Sequence, residues 1–190
     1  MEIQLFNKRF EDVLPNIKFD AIITDPPYPD YMAEEYHYYD GLLDWVKDYN
    51  CRQIIFWSAK VDFPLDYTAK HIWDKKCGVG SMYEIILERN GGKAYKVYNY
   101  YLINSTVAAS FAKDTFYDHP SQKPLALMRK LVLENTKEGD TIFDPFMGSG
   151  STAIAAIMEG RNFIGCELNE KYFKIVEQRV SQHKNAPTLF

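Results

Sequence analysis

Four consecutive residues, Asp25-Pro26-Pro27-Tyr28, bring a carboxylate, two ring-locked backbones and an aromatic face to one point of the chain. Proline fixes its own backbone angle, so an acceptor next to it is held rigidly. This combination suits the gripping of a flat ring that bears an amine. Its plainer reading is a strand that ends in a proline-stopped turn.

A second stretch weighs against the plainer reading. Phe143-Asp144-Pro145-Phe146-Met147-Gly148-Ser149-Gly150-Ser151-Thr152 has the pattern of strand, tight turn and helix. Gly148 and Gly150 let the backbone approach a ligand, and the helix that follows offers free N–H groups. No lysine follows the glycines, so this is not a P-loop, and Ala153 leaves the dinucleotide GxGxxG pattern incomplete. Glu167 lies 17 residues after Gly150, at the end of the next expected strand. A carboxylate there can accept hydrogen bonds from both ribose hydroxyls. Ribose recognition without a phosphate clamp points to an adenosine-type cofactor such as S-adenosylmethionine, although spacing alone leaves the ligand open.

The elements that must position these sites follow from periodicity. Strands are expected at 3–6, 19–24, 53–58, 71–74, 83–88, 141–143 and 162–166. Helices are expected at 8–14, 42–49, 63–70, 124–135 and 151–159, with a last one after Asn169. The run Ala21-Ile22-Ile23 does not alternate, which suits a central strand covered on both faces. Pro64 fits a first helical turn, and Gly160 fits a left-handed cap. Residues 93–116 show no helical period and are expected to form short strands and loops; the tail from 184 is expected to fray. Residues 29–40, with Tyr31, Tyr36, His37, Tyr38 and Tyr39, form either a substrate-contacting lid or an amphipathic segment with half-buried tyrosines. Strands that alternate with helices predict an α/β fold: one mostly parallel sheet with helices on both faces.

Composition narrows the class. A chain of 190 residues is most simply one domain. It has no apolar run long enough to span a membrane and opens without a secretory signal, so a cytoplasmic protein with no membrane partner is expected. Three cysteines, none in CxxC spacing, predict inert thiols and no metal. The net charge of −4 argues against a uniformly basic nucleic-acid binder, yet residues 70–130 carry 10 basic and 5 acidic residues while residues 1–69 carry 6 and 13. Phosphate contacts are therefore expected in the middle third, unless that excess is simply a solvated face.

Taken together, the two sites resemble the S-adenosylmethionine-dependent amino-methyltransferases of DNA, which methylate adenine N6 or cytosine N4. His119-Pro120-Ser121-Gln122-Lys123-Pro124 resembles the segment before that family's cofactor loop, and Gly78-Val79-Gly80-Ser81-Met82-Tyr83-Glu84 resembles a glycine-bearing element between the sites. The order, catalytic motif first, is similar to the permuted group called beta. The resemblance implies a Rossmann-like seven-stranded sheet. It implies that Asp144, Pro145, Phe146, Gly148, Ser149, Gly150 and Thr152 lie under the cofactor, with Glu167 on its ribose. Lys123 and Ser121 are implied near the methionine carboxylate, and Asp25 near the target amine.

The implied chemistry needs the first site. A ring amine is a poor nucleophile because its lone pair is delocalised; the Asp25 carboxylate and the Pro26 carbonyl, accepting its two protons, would favour a pyramidal nitrogen, and Tyr28 would stack on the flipped base. The partner is DNA, with a homodimer, a partner subunit and a cognate restriction nuclease left open. Target recognition is expected in a short insertion at about 90–118. Lys75 and Lys76 in the basic turn, and Lys93, Lys96 and Lys113 among the tyrosines, are the expected DNA contacts. The Asp-Pro-Pro-Tyr form leans towards adenine. Cytosine N4, RNA, and a catalytically silent cofactor-binding subunit are the alternatives.

Overall fold

The structure, a computed structural model, describes residues 1–31, 33, 34, 37–77 and 82–184. The expectations for Tyr36, for the glycine-bearing residues 78–81 and for the tail from 185 lie outside the described residues.

One open sheet forms the centre. Its strands are β1 (Ile3–Phe6), β2 (Ala21–Thr24), β3 (Arg52–Trp57), β4 (Ala69–Asp74), β5 (Tyr83–Arg89), β6 (Val97–Asn99), β7 (Thr141–Asp144) and β8 (Asn162–Cys166). They lie in the order β1-β8-β7-β2-β3-β5-β4-β6. The pairings from β1 through β3 are parallel, β5 runs antiparallel to both β3 and β4, and β6 lies parallel to β4 at the outer edge. The sheet thus has eight strands rather than seven. The added one, β6, comes from the tyrosine-rich segment and is anchored where the Trp73 indole donates to the Tyr100 carbonyl at 2.8 Å.

The helices are α1 (Phe10–Val13), α2 (Thr106–Ala112), α3 (Leu125–Asn135), α4 (Ser151–Met158) and α5 (Glu170–Lys184). Alternation along β7 and β8 divides the core. Ile142 and Phe163 join one cluster with Leu131, Ala155 and Val176 of α3, α4 and α5. Phe143, Ile164 and Cys166 point the other way and pack with Phe10, Val13 and Leu42. Successive strand residues face opposite sides, so an unbroken apolar run is what a sheet covered on both faces requires.

Three expectations are corrected. Residues 42–49 form only a 3-10 turn over Asp44–Asp48, because Asp44 N–H bonds the Gly41 carbonyl and Val46 N–H the Leu43 carbonyl, a three-residue spacing that winds tighter than an α-helix. Residues 63–70 are not helical: Ala69 pairs with Glu88 as β4 begins, and sheet pairing overrides the local preference after Pro64. Residues 106–112 are helical, with the Ser105 hydroxyl accepting from Ala108 N–H at 3.1 Å. That helix escapes a periodicity search because Ala109 is its only buried residue, while Val107 and Phe111 face solvent. Among the described residues, no helix is long and apolar enough to cross a membrane.

Candidate active site

Strands β7 and β2 are neighbours and parallel, with Ile22 opposite Phe143. From β7 the chain passes through α4 to β8 on one side; from β2 it passes to β3 on the other. Ligands bind at such a switch point, outside the carboxyl ends of the strands. Both motifs identified in the sequence lie there on one cavity of about 580 Å³, where Thr24 meets Asp144 across 120 residues of chain.

Asp144 joins the two halves. One of its oxygens accepts from the Thr24 hydroxyl of β2 at 2.7 Å and from Phe146 N–H at 3.1 Å; the other accepts from the Thr152 hydroxyl of α4 at 2.7 Å. Burial pushes its carboxyl up to about 6, against these three donors. Asn at this position keeps one acceptor for Thr24 and Phe146 and turns its NH2 towards the Thr152 hydroxyl, which donates to the carboxylate in the parent protein. Asp144→Asn is expected to lower stability by about 1 kcal/mol, the net worth of one hydrogen bond, because the amide escapes the burial penalty of the carboxylate. Urea unfolding measures it. Asp144 binds its proton more tightly folded than unfolded, so this group alone makes stability fall as pH rises from its ordinary 3.8 towards about 6. That slope should vanish in the variant.

The glycine turn is shaped by close approach. Gly148 has a φ of +51°, and a Cβ there would lie 2.9 Å from His119 Nε2. Gly150 has a φ of +80°, and its Cβ would strike the Val176 methyls of α5 at 2.9 and 3.0 Å. Gly150 is therefore a packing glycine and not part of the cavity wall. Below the turn the Arg179 guanidinium, buried and 4.0 Å above the Tyr117 ring, donates to the Ser149 carbonyl. Glu167 accepts from Gly148 N–H at 3.0 Å and Asn169 N–H at 2.8 Å, and Asn169 caps α5. Burial raises the Glu167 carboxyl while these N–H groups pull it down. His119 accepts from Ser121 N–H at 3.2 Å. Burial, then Lys123, Arg179 and Lys171, push its imidazole down to about 4, so it is neutral at pH 7. These residues fit a nucleoside cofactor: Pro145, Phe146, Gly148, Ser149, Thr152 and Glu167 line the cavity, as does Ser121.

The opposite wall carries Asp25, Pro26, Pro27 and Tyr28. The Tyr28 hydroxyl donates to Asp25 Oδ1, and its ring meets Trp57 edge to face at 5.6 Å. Lys123 is placed differently from the expectation. It lines the same cavity, and its ammonium pairs with Asp25 Oδ2 and lies 3.4 Å from Glu84 Oε2, so it bridges two carboxylates of the opposite wall. The Lys123 carbonyl accepts from the Ser151 hydroxyl at 2.8 Å, which fixes the segment against α4. Burial pushes the Asp25 carboxyl up, against the pull of Lys123. Glu84 is held below its ordinary value: burial acts upward, but Lys123 and Lys75 outweigh it. The Tyr28 phenol is raised well above its usual value by burial and by Asp25 and Glu84, and stays protonated.

Lys75 is a second correction. Its ammonium is buried on Glu84 Oε1 at 2.6 Å, 5.4 Å from the Trp73 ring, at the wall of the cavity rather than on the exposed surface where a phosphate contact is expected. Lys96 is paired with Glu134 at 2.9 Å beside the outer edge of the sheet. Lys76, Lys93 and Lys113 are exposed, with the Lys76 ammonium 5.5 Å over Tyr101. None of these four lines the cavity. Of residues 29–40, Asp30, Tyr31, His37 and Tyr39 do, and Asp30 accepts from the Ser58 hydroxyl at 2.8 Å. Thr24 and Arg179 are the residues that motif reading missed, and Glu84 entered it only as the end of the glycine-bearing element, without a role. Thr24 had a faint signal, a polar residue closing an apolar strand; Arg179 had none.

The DNA methylase family profile matches residues 32–178. The chain is 38% identical over 104 residues to the Type II methyltransferase M2.DpnII of Streptococcus pneumoniae, covering 48% of this chain and 39% of that protein. It is 41% identical over 81 residues to the DNA adenine methyltransferase YhdJ of Escherichia coli (strain K12), covering 42% and 28%. The chain thus spans well under two thirds of the length of these relatives. Among solved structures, the M1.HpyAVI–SAM complex matches with a TM-score of 0.60 and 26% identity, covering 93% of this chain and 99% of that one. A Thermus thermophilus protein described as a putative DNA modification methylase, complexed with S-adenosyl-L-methionine, matches with a TM-score of 0.62 at 22% identity, covering 98% and 97%, a likeness of fold alone.

Proposed function

Because this chain belongs to the DNA methylase family, we propose that it transfers the methyl group of S-adenosylmethionine to the N6 amine of an adenine flipped out of DNA. One observation carries the reading: a carboxylate on a proline-locked turn faces the same cavity as a glycine turn and a ribose-ready carboxylate. The cofactor supplies an electrophilic sulfonium methyl. Everything else falls to the side chains and backbone of this protein.

Pro145, Phe146, Gly148 and Glu167 hold the nucleoside end. Asp25 and the Pro26 carbonyl accept the two amine protons, which frees the nitrogen lone pair and aims it at the methyl. Such in-line positioning is powerful, with effective molarities reaching roughly 10⁵–10⁸ M. The methylated nitrogen is cationic and releases one proton to the Asp25 carboxylate or to water. Flipping the base costs a few kcal/mol; stacking on an aromatic ring such as Tyr28 recovers about 1–3 kcal/mol.

Sequence choice in the DNA is assigned to residues 90–118. The exposed Lys93, Tyr95, Tyr101 and Phe111 there support phosphate contact and stacking. A companion restriction nuclease is part of the proposal, in keeping with the Type II methyltransferase names of the relatives. Adenine rather than cytosine rests on the Asp-Pro-Pro-Tyr form and on the adenine specificity in the name of YhdJ.

Incubation with radiolabelled S-adenosylmethionine and mixed DNA, followed by nucleoside analysis, tests this. Label in N6-methyladenine is expected. Label in N4-methylcytosine would overturn the choice of base, and label in neither would overturn catalysis.

A further inference from the structure

The Tyr28 hydroxyl has one proton to donate and two carboxylates within reach. It is seated on Asp25 Oδ1, and Glu84 Oε2 lies 3.4 Å away. Asp25 Oδ2 is taken by the Lys123 ammonium. Both oxygens of the catalytic carboxylate therefore have a protein donor before any substrate arrives. An incoming amine needs one of them, and Lys123, wedged between two carboxylates and 5.0 Å from the Phe56 ring, is the less movable donor.

Glu84 is built to take the displaced hydroxyl. Its Oε1 is fixed by Lys75 at 2.6 Å. Lys75 is in turn fixed by its backbone, whose N–H donates to the Met82 carbonyl at 2.9 Å where β4 and β5 meet. Among the described residues, the other Glu84 oxygen, Oε2, has two long contacts, Tyr28 at 3.4 Å and Lys123 at 3.4 Å. A half-buried carboxylate oxygen whose donors among the described residues both stand at 3.4 Å has room for a shorter hydrogen bond in another state. Shortening the Tyr28 contact by about 0.5 Å brings it into ordinary range. Two ammonium groups already balance the two carboxylates, so the hydroxyl can turn without moving net charge.

We propose that Glu84 is a positioning residue for methyl transfer: it accepts the Tyr28 hydroxyl when the substrate amine takes Asp25 Oδ1, so that the catalytic carboxylate is capped in the empty site and open in the loaded one. This rests on the amine-methylation reading. The phenol keeps its proton throughout; only its hydrogen bond changes partner. Glu84 does not touch the reacting atoms.

A double-mutant cycle with Glu84→Gln and Tyr28→Phe tests the idea, with kcat, DNA KM and cofactor Kd measured for each protein. Glu84→Gln alone is expected to lower kcat by about tenfold to a hundredfold, as for a lost charge-assisted hydrogen bond, with cofactor Kd unchanged. In the Tyr28→Phe background the same change should cost little, because no hydroxyl remains to be received. Lys75→Met with Glu84→Met removes the ion pair whole, restores charge balance and leaves no acceptor for the Tyr28 hydroxyl, so it should reproduce the kcat loss if Glu84→Gln alone folds poorly. Equal losses in both Tyr28 backgrounds, or a loss confined to cofactor binding, would overturn the inference and leave the proposed function standing. A parent chain that transfers no methyl group to DNA would remove the function and this inference with it.

Discussion

Replacing Asp25 by alanine is expected to lower kcat for methyl transfer by about 10³-fold while the affinity for S-adenosylmethionine stays within about twofold. Removing a positioned acid–base or charge-stabilising group typically costs about 10²–10⁴-fold, and Asp25 is the carboxylate at the strand end nearest the proposed amine site. Cofactor affinity is spared because the nucleoside end is held from the other wall, by the turn after β7 and by Glu167. Single-turnover rates and equilibrium binding on the same preparation separate the two effects. Parallel losses of both would mean that Asp25 serves cofactor binding. The unsubstituted protein adds a pH signature. In the proposed reaction Asp25 acts as an ionised acceptor, and burial raises its carboxyl, so activity should fall on acidification at a pH above that of an ordinary aspartate.

The second large effect is expected from Lys123→Met. In the folded protein this ammonium lies between Asp25 and Glu84, its side chain 7% exposed. Removing one partner of a buried pair costs about 3–5 kcal/mol, because the remaining charge is left uncompensated. Lys75 still holds Glu84, so the burden falls on Asp25, whose carboxyl then rises further. The sign follows: the variant should lose activity at neutral pH and regain part of it as pH rises. Its stability deficit should be largest at high pH and should shrink as pH falls through the raised Asp25 value. A pH–rate profile and denaturant unfolding at two pH values measure both. A weakened cofactor Kd with an unmoved acid limb would instead return Lys123 to the methionine carboxylate.

Much of this was legible in the chain itself. Asp25-Pro26-Pro27-Tyr28 and the Asp144–Thr152 turn are local patterns: proline geometry, glycine freedom and a strand-to-helix reversal depend on neighbours in sequence. The central strands were legible because burial on both faces leaves an unbroken apolar run. The failures were also physical. Residues 63–70 had a helical start signal, and pairing of β4 with β5 overrode it. Residues 106–112 formed a helix without an apolar stripe, since one buried alanine gives no period to read.

Sequence alone therefore determined which residues stand at the ends of β2 and β7 and what each could bind. Only the tertiary structure decided what those side chains touch. It brought Thr24 onto Asp144 across 120 residues and set Lys123 on Asp25 across 98. It also turned Lys75 from an expected DNA contact into the buried partner of Glu84. Ion pairs inside a fold are set by which strands become neighbours, and strand order β7-β2-β3-β5-β4 is a long-range outcome that no local spacing encodes.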